Sequence, residues 1–176
     1  MHPYIALLRG VNVSGQKKIP MADLGDLLSK EKLENVQTYI QSGNVVFQSL
    51  EKKKEILETK IHKAIKSYFG FDVPVLVKSP MELQQIFNDC PFPEEQKINS
   101  YFIMLYSVAD IGLVDKISKL TYPNEVFKIT DNCVYFYYSI GYGKAKFSNN
   151  FFERKLKVTA TARNYNTMVK LLSLSS

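Results

Sequence analysis

Tryptophan is absent from this chain, and cysteine and histidine occur only twice each. Cys90 and Cys133 lie far apart and outside any C-x-x-C pair or Cys/His cluster, so no metal site is expected. His2 and His62 have no Ser or Cys beside them in a nucleophile elbow. No catalytic set stands out, and whether the chain is an enzyme stays open. No apolar run approaches the roughly 20 residues that span a bilayer. No charged segment followed by an apolar one opens the chain as a signal peptide would. The expectation is a soluble, cytoplasmic protein with no membrane partner and no cofactor.

What is present suits a folded domain or two small ones. The 176 residues are 45% hydrophobic, with eleven Phe and eleven Tyr as bulky core material, which excludes disorder. The net charge is +6, a surplus that favours acidic partners such as nucleic acid or phosphorylated small molecules.

Apolar periodicity gives the element order. Tyr4 to Leu8 reads as a buried strand. Pro20 opens a helix carrying Leu24, Leu27 and Leu28. Residues 36–48 read as a hairpin around Gln41-Ser42-Gly43-Asn44. Leu57, Ile61, Ala64, Ile65 and Tyr68 mark one face of a long helix. Val73, Val75 and Val77 alternate in a strand whose Pro74 calls for a sheet edge. The same order recurs from Tyr101: a strand, a helix opened by Asp110, and a hairpin over 125–138. A helix capped by Ser148, a strand from Val158 to Ala162 and a helix with Met168, Val169 and Leu172 complete it. The expected fold is α+β, a duplication of two ferredoxin-like (βαββαβ) units with antiparallel sheets, each with spatial strand order 4-1-3-2. The units are drawn as 1–79 and 100–176, joined by a helix and a proline-containing loop over 80–99.

The stretch YIALLRGVNVSGQKKIPMADL invites comparison with a phosphate loop. Gly10 and Gly15 have Walker spacing, but Gln16 stands at the lysine position and Lys18 where Ser or Thr belongs. A looser anion site fits the topology better. The loop after the first strand opens at the same end of the sheet as the hairpin turn. Arg9, Asn12, Lys17 and Lys18 are thereby expected near Gln41, Ser42 and Asn44, where cations, amides and a hydroxyl can hold a phosphate or carboxylate. Solvated loop lysines are the plainer reading of Lys17 and Lys18. In Val134-Tyr135-Phe136-Tyr137-Tyr138, alternation puts Tyr135 and Tyr137 on one face, as a base-stacking platform or as packing. The K/R-G-F/Y signature of RNA-recognition motifs is missing, which favours packing.

YIALLRGVNVSGQKKIPMADL, VQTYIQSGNVVFQS and ATARNYNTMVKLL resemble the bacterial family catalogued as domain of unknown function 1697, over Tyr4 to Leu172. The resemblance implies the duplicated arrangement and no established activity. The matching positions are Arg9, Gly10, Asn12, Lys18, Pro20, Gln41, Ser42, Gly43, Asn44, Arg163, Asn164 and Thr167; this chain has Ser14 and Tyr165 where the family often has Gly and Trp. Arg163 and Asn164 thereby join the candidate ligand-binding residues. Three function classes follow: a module binding a small anionic ligand, a nucleic-acid-binding protein, and an enzyme on a phosphorylated or carboxylated metabolite.

Overall fold

A computed structural model describes residues 1–176 apart from the side chain of Tyr142. It is mixed α+β, with two four-stranded antiparallel sheets. The residues cluster into two compact units, Met1–Gln84 with Lys170–Ser176, and Gln85–Val169. The C-terminal residues from Lys170 therefore belong with the first unit, not with the second as the sequence pattern suggests. Among the described residues, no helix is long and apolar enough to cross a membrane.

The first unit contains β1 (His2–Leu8), α1 (Met21–Lys30), β2 (Glu34–Tyr39), β3 (Asn44–Ser49), α2 (Lys54–Phe69) and β4 (Val75–Lys78). Its strand order is β2-β3-β1-β4, the spatial order read from the element pattern. The core follows period-two and period-3.6 patterning. Tyr4, Ala6, Leu8, Val45 and Phe47 from the central strands meet Leu24 and Leu28 of α1 and Leu57, Ile61 and Ile65 of α2. Tyr68 does not join them: at 62% exposure it is on the solvent side. Pro74 sits directly before the edge strand β4, where a missing N–H removes no ladder bond. Its carbonyl accepts the Arg9 backbone N–H at 3.0 Å.

The second unit runs through α4 (Glu94–Lys97), β5 (Ser100–Leu105), α5 (Ile111–Ser118), β6 (Glu125–Ile129), β7 (Cys133–Tyr138), α6 (Asn149–Leu156) and β8 (Ala160–Asn164). The helices α3 (Pro80–Asn88) and α7 (Tyr165–Leu174) each run across a boundary between the two residue sets. The second sheet repeats the order of the first, β6-β7-β5-β8. Asp110 and Ser148 cap α5 and α6 by accepting the Leu113 and Phe151 N–H groups. The last strand begins at Ala160, two residues later than the apolar run, because Lys157 ends α6 in a left-handed turn with φ 56°.

The strand that ends each pattern lies at an edge, and each has one N–H covered by a helix carboxylate. Glu58 of α2 accepts from Val77 at 2.9 Å, and Glu153 of α6 accepts from Ala160 at 2.9 Å. Covered edge groups oppose pairing with another chain. Burial pushes the Glu58 carboxyl above its ordinary value, against the lowering effect of the Val77 N–H. The folded chain thus keeps that proton to a higher pH than the unfolded chain. Stability from this group falls as pH rises from the ordinary carboxylate range through the raised value. Glu58→Gln retains a carbonyl oxygen for Val77 and should flatten that slope, leaving the variant at least as stable as the parent at neutral pH. Thermal melts across the acid range check it; an undiminished slope would assign the pH dependence to other groups.

Candidate functional site

The loop after β1 is a small hairpin, not a phosphate loop. Asn12 N–H donates to the Lys17 carbonyl at 3.1 Å and Gln16 N–H to Val13 at 2.9 Å. Ser14 and Gly15 form the tip with φ values of 50° and 74°, the two positive angles of a primed two-residue turn. Backbone N–H groups that a phosphate loop would turn inward are used to close this hairpin. Pro20 is the N-cap residue of α1, and Ile19 is buried beneath the loop.

Asn12 ties this hairpin to the β2–β3 turn. Its left-handed backbone (φ 54°) turns the amide inward. Nδ2 donates to the Ile19 carbonyl at 3.0 Å and the Gln41 carbonyl at 2.8 Å, and Oδ1 accepts from Ile19 N–H at 2.8 Å. The turn is drawn tight against β1 by Gly43, whose carbonyl accepts Leu8 N–H at 2.8 Å. Leu7 faces Asn44 in the ladder. The Arg9 and Asn44 Cα atoms therefore lie within about 13 Å, from roughly 5.5 Å across a pair and at most about 3.6 Å for each further residue. Asn44 is fully buried, and its Nδ2 donates to the Tyr39 carbonyl at 3.0 Å and to Ser42 Oγ at 2.9 Å. Ile40 holds a left-handed φ of 47° although it is β-branched, so the turn carries backbone strain.

The structure thus brings Arg9, Asn12, Lys17, Lys18, Gln41, Ser42 and Asn44 to one end of one sheet but gives them different work. The amide hydrogens of Asn12 and Asn44 are directed to the protein itself, so these two build the rim instead of facing a ligand. Lys17 Nζ donates to the Asp72 carbonyl at 2.5 Å. The Asp72 carboxylate lies beside Lys66 Nζ (3.0 Å) and His62 Nε2 (3.2 Å), and His62 Nδ1–H donates to the Val73 carbonyl at 2.8 Å. Asp72 is held below its ordinary value chiefly by the hydrogen bond from Lys66, with His62 and Lys17 adding. Lys17 therefore has an acidic neighbour, which dilutes its attraction for an anion. Lys18 is exposed and, among the described residues, forms no ion pair. His62 is half-buried and hydrogen-bonded.

Arg163 and Asn164 lie in the second unit. Arg163 is buried, and its Nη1 donates to Thr161 Oγ1 at 2.7 Å and to the Ala162 carbonyl at 2.8 Å. Asn164 Oδ1 accepts Thr167 N–H at 2.9 Å and caps α7. Both act in local structure. The tyrosine strand is divided between two roles. Tyr135 is 2% exposed, packs edge-on to Phe102 and donates its hydroxyl to the Ile86 carbonyl at 2.7 Å, and burial pushes its phenol upward. It is core, not a stacking surface. Tyr137 and Tyr138 are half-buried at the end of the strand, where a cleft opens that the sequence pattern did not reveal. Among the described residues, no group of three or more His, Cys, Asp or Glu side chains could hold a metal ion.

The family model described as "Protein of unknown function (DUF1697)" matches residues 1–135, which include the whole first sheet. A search of curated proteins found no match. Among solved structures, the conserved bacterial protein SP0830 from Streptococcus pneumoniae is similar with a TM-score of 0.72, over 99% of this chain and 98% of that chain, at 23% identity. That likeness carries the fold.

Proposed function

The chain belongs to the DUF1697 family of proteins of unknown function, and from that premise we propose that it binds an anionic group, a phosphate or a carboxylate, at the end of the first sheet. The observation that carries this reading is the Asn12 amide, whose hydrogen bonds to Ile19 and Gln41 join the 9–20 loop to the 41–44 turn. A joined, strained rim carrying Arg9, Lys18 and the Ser42 hydroxyl is preorganised for a small anion. Lys17 contributes less, because its ammonium is engaged beside Asp72. The ligand-facing groups are accordingly Arg9, Lys18, Gln41 and Ser42, with Asn12 and Asn44 as supports. A duplicated ferredoxin-like ancestry suits the repeated strand order and the paired Glu58 and Glu153 edge contacts. A cytoplasmic setting suits two cysteines that form no disulfide.

Isothermal titration with inorganic phosphate tests the site. Charge-assisted hydrogen bonds are worth about 1.5–3 kcal/mol each, so Lys18→Ala should weaken phosphate binding about tenfold or more. Its melting temperature should stay within a degree or so of the parent's, since an exposed loop lysine has few contacts to lose. Lys17→Ala should weaken binding less and cost some stability. Equal phosphate affinities for the parent and Lys18→Ala would reduce Lys18 to a solvated residue. Tight binding of a polyanion with a steep salt dependence, and none of phosphate, would move the protein to the nucleic-acid class.

A further inference from the structure

The second unit holds a cleft of about 500 Å³ at the end of its sheet, lined where β5 begins and where β7 and β8 finish. Its origin is the register of the ladder. Ser100 lies directly across from Tyr137, so a small side chain leaves open space beside a large ring. Tyr138 points to the opposite face of the strand from Tyr137, yet at the strand end both line the opening, with Tyr101 and Tyr165. All four tyrosines are half-buried, and the Tyr165 hydroxyl donates to Glu94 Oε1 at 3.4 Å. Tyr165 is braced from behind by Phe87, with ring centroids 5.4 Å apart, and Tyr137 by Phe92 at 6.4 Å. Phe87 stands on α3 and Phe92 in the loop that follows it, and both are half-buried.

The polar groups between the rings are the amides of Asn99, Asn164 and Asn166 and the hydroxyls of Ser100 and Ser139. Asn99 donates one amide hydrogen to the Glu95 carbonyl, at 3.3 Å. Asn166 is exposed, and none of its side-chain atoms has a partner among the described residues. No lysine, arginine, aspartate or glutamate lines the cleft. An anion entering it would lose water and meet no opposite charge, which is costly. A neutral molecule with several hydroxyls meets matching chemistry: each amide offers a donor and an acceptor side by side, and so do vicinal hydroxyls. The tyrosine faces supply flat apolar area for the C–H face of a ring, with phenol hydroxyls at their edges. The volume falls within the range of small-ligand sites. We propose that this cleft is a binding site for a neutral pyranose sugar, free or as the terminal unit of a glycan, seated against Tyr137 and held by Asn99 and Asn166.

Amide NMR spectra of the full chain, titrated with methyl β-D-glucopyranoside, methyl β-D-galactopyranoside and N-acetylglucosamine, test this. At least one sugar should give saturable shifts at residues 98–101, 137–141 and 164–166. Tyr137→Ala and Asn166→Ala should each weaken that binding about tenfold, as loss of one well-placed contact does. Asn166 is exposed, so its variant decides the matter if Tyr137→Ala unfolds. A glycan ending in the responsive sugar should shift the same amides if the natural ligand is a chain end, and should not if only the free sugar fits. The proposal is overturned if none of the three sugars moves these amides. Tighter binding of adenosine at the same residues would overturn it in favour of a flat heterocycle, and saturable shifts there from inorganic phosphate would overturn the neutral-ligand assignment.

Discussion

Gly43→Ala is expected to lower stability by about 4 kcal/mol, the sum of two independent costs. Gly43 has φ 79°, a left-handed conformation that costs an L-residue about 1–2 kcal/mol. A Cβ there would stand 2.6 Å from Leu8 Cβ and 2.7 Å from Val11 Cγ2, both in the core of the first unit. Neither neighbour is the loose end of a long side chain, so the backbone must move, and overpacking of this kind costs about 1–3 kcal/mol. At roughly 2–4 °C per kcal/mol for a chain of this size, the melting temperature should fall by about 10 °C. The damage should fall on the rim as well, because the Gly43 carbonyl holds Leu8 N–H at 2.8 Å. A melting temperature within about 2 °C of the parent's would mean that turn and strand are not pressed together as described.

Asn12→Ala should cost about 3 kcal/mol, near 1 kcal/mol for each of the three hydrogen bonds made by its amide. Alanine also tolerates the left-handed φ of 54° less well than asparagine does. Chemical denaturation with an unchanged m-value checks the stability. Phosphate affinity supplies a second readout. If Asn12 supports the site without touching the ligand, its removal should weaken binding through loosening of the turn, although no charge is lost. Asn12→Asp sharpens the distinction. It keeps an acceptor for Ile19 N–H, loses both donated bonds, and places a negative charge among the rim cations. A variant with parental stability would show that loop and turn are joined by other contacts.

Much of the fold is legible in the sequence because the apolar patterning is regular and the punctuation is specific. Pro20, Asp110 and Ser148 mark helix starts where α1, α5 and α6 begin, and Pro74 marks the edge strand one residue early. The helix over Glu94–Lys97 is not legible, since four charged and polar residues after a proline carry no apolar period. The last strand extends through Arg163 and Asn164, two residues past Ala162, where the apolar run ends. Val169 reads as part of the final helix's apolar face but is 42% exposed.

The candidate site is half legible for a physical reason. Topology dictates that the 9–20 loop and the 41–44 turn leave the same end of one sheet, so their residues can be brought together on paper. Which polar side chains are consumed by the backbone is decided by loop geometry, and nothing in residue identity reveals it. Asn12 and Asn44 read as ligand amides yet satisfy carbonyl and N–H groups of the protein, and Lys17 reads as a rim cation yet caps a carbonyl beside an acid. The tyrosine cleft is missed for a related reason. Alternation assigns Tyr137 and Tyr138 to opposite faces, which holds within a sheet but not at the end of one, where both faces border the same opening.

Amide NMR with inorganic phosphate is the sharpest test of the anion site proposed at the end of the first sheet. Saturable shifts should be confined to residues 9–12, 17–19 and 40–44 in the parent and should require about tenfold more phosphate in Lys18→Ala. Shifts that never saturate, or that are centred outside these three segments, would contradict it.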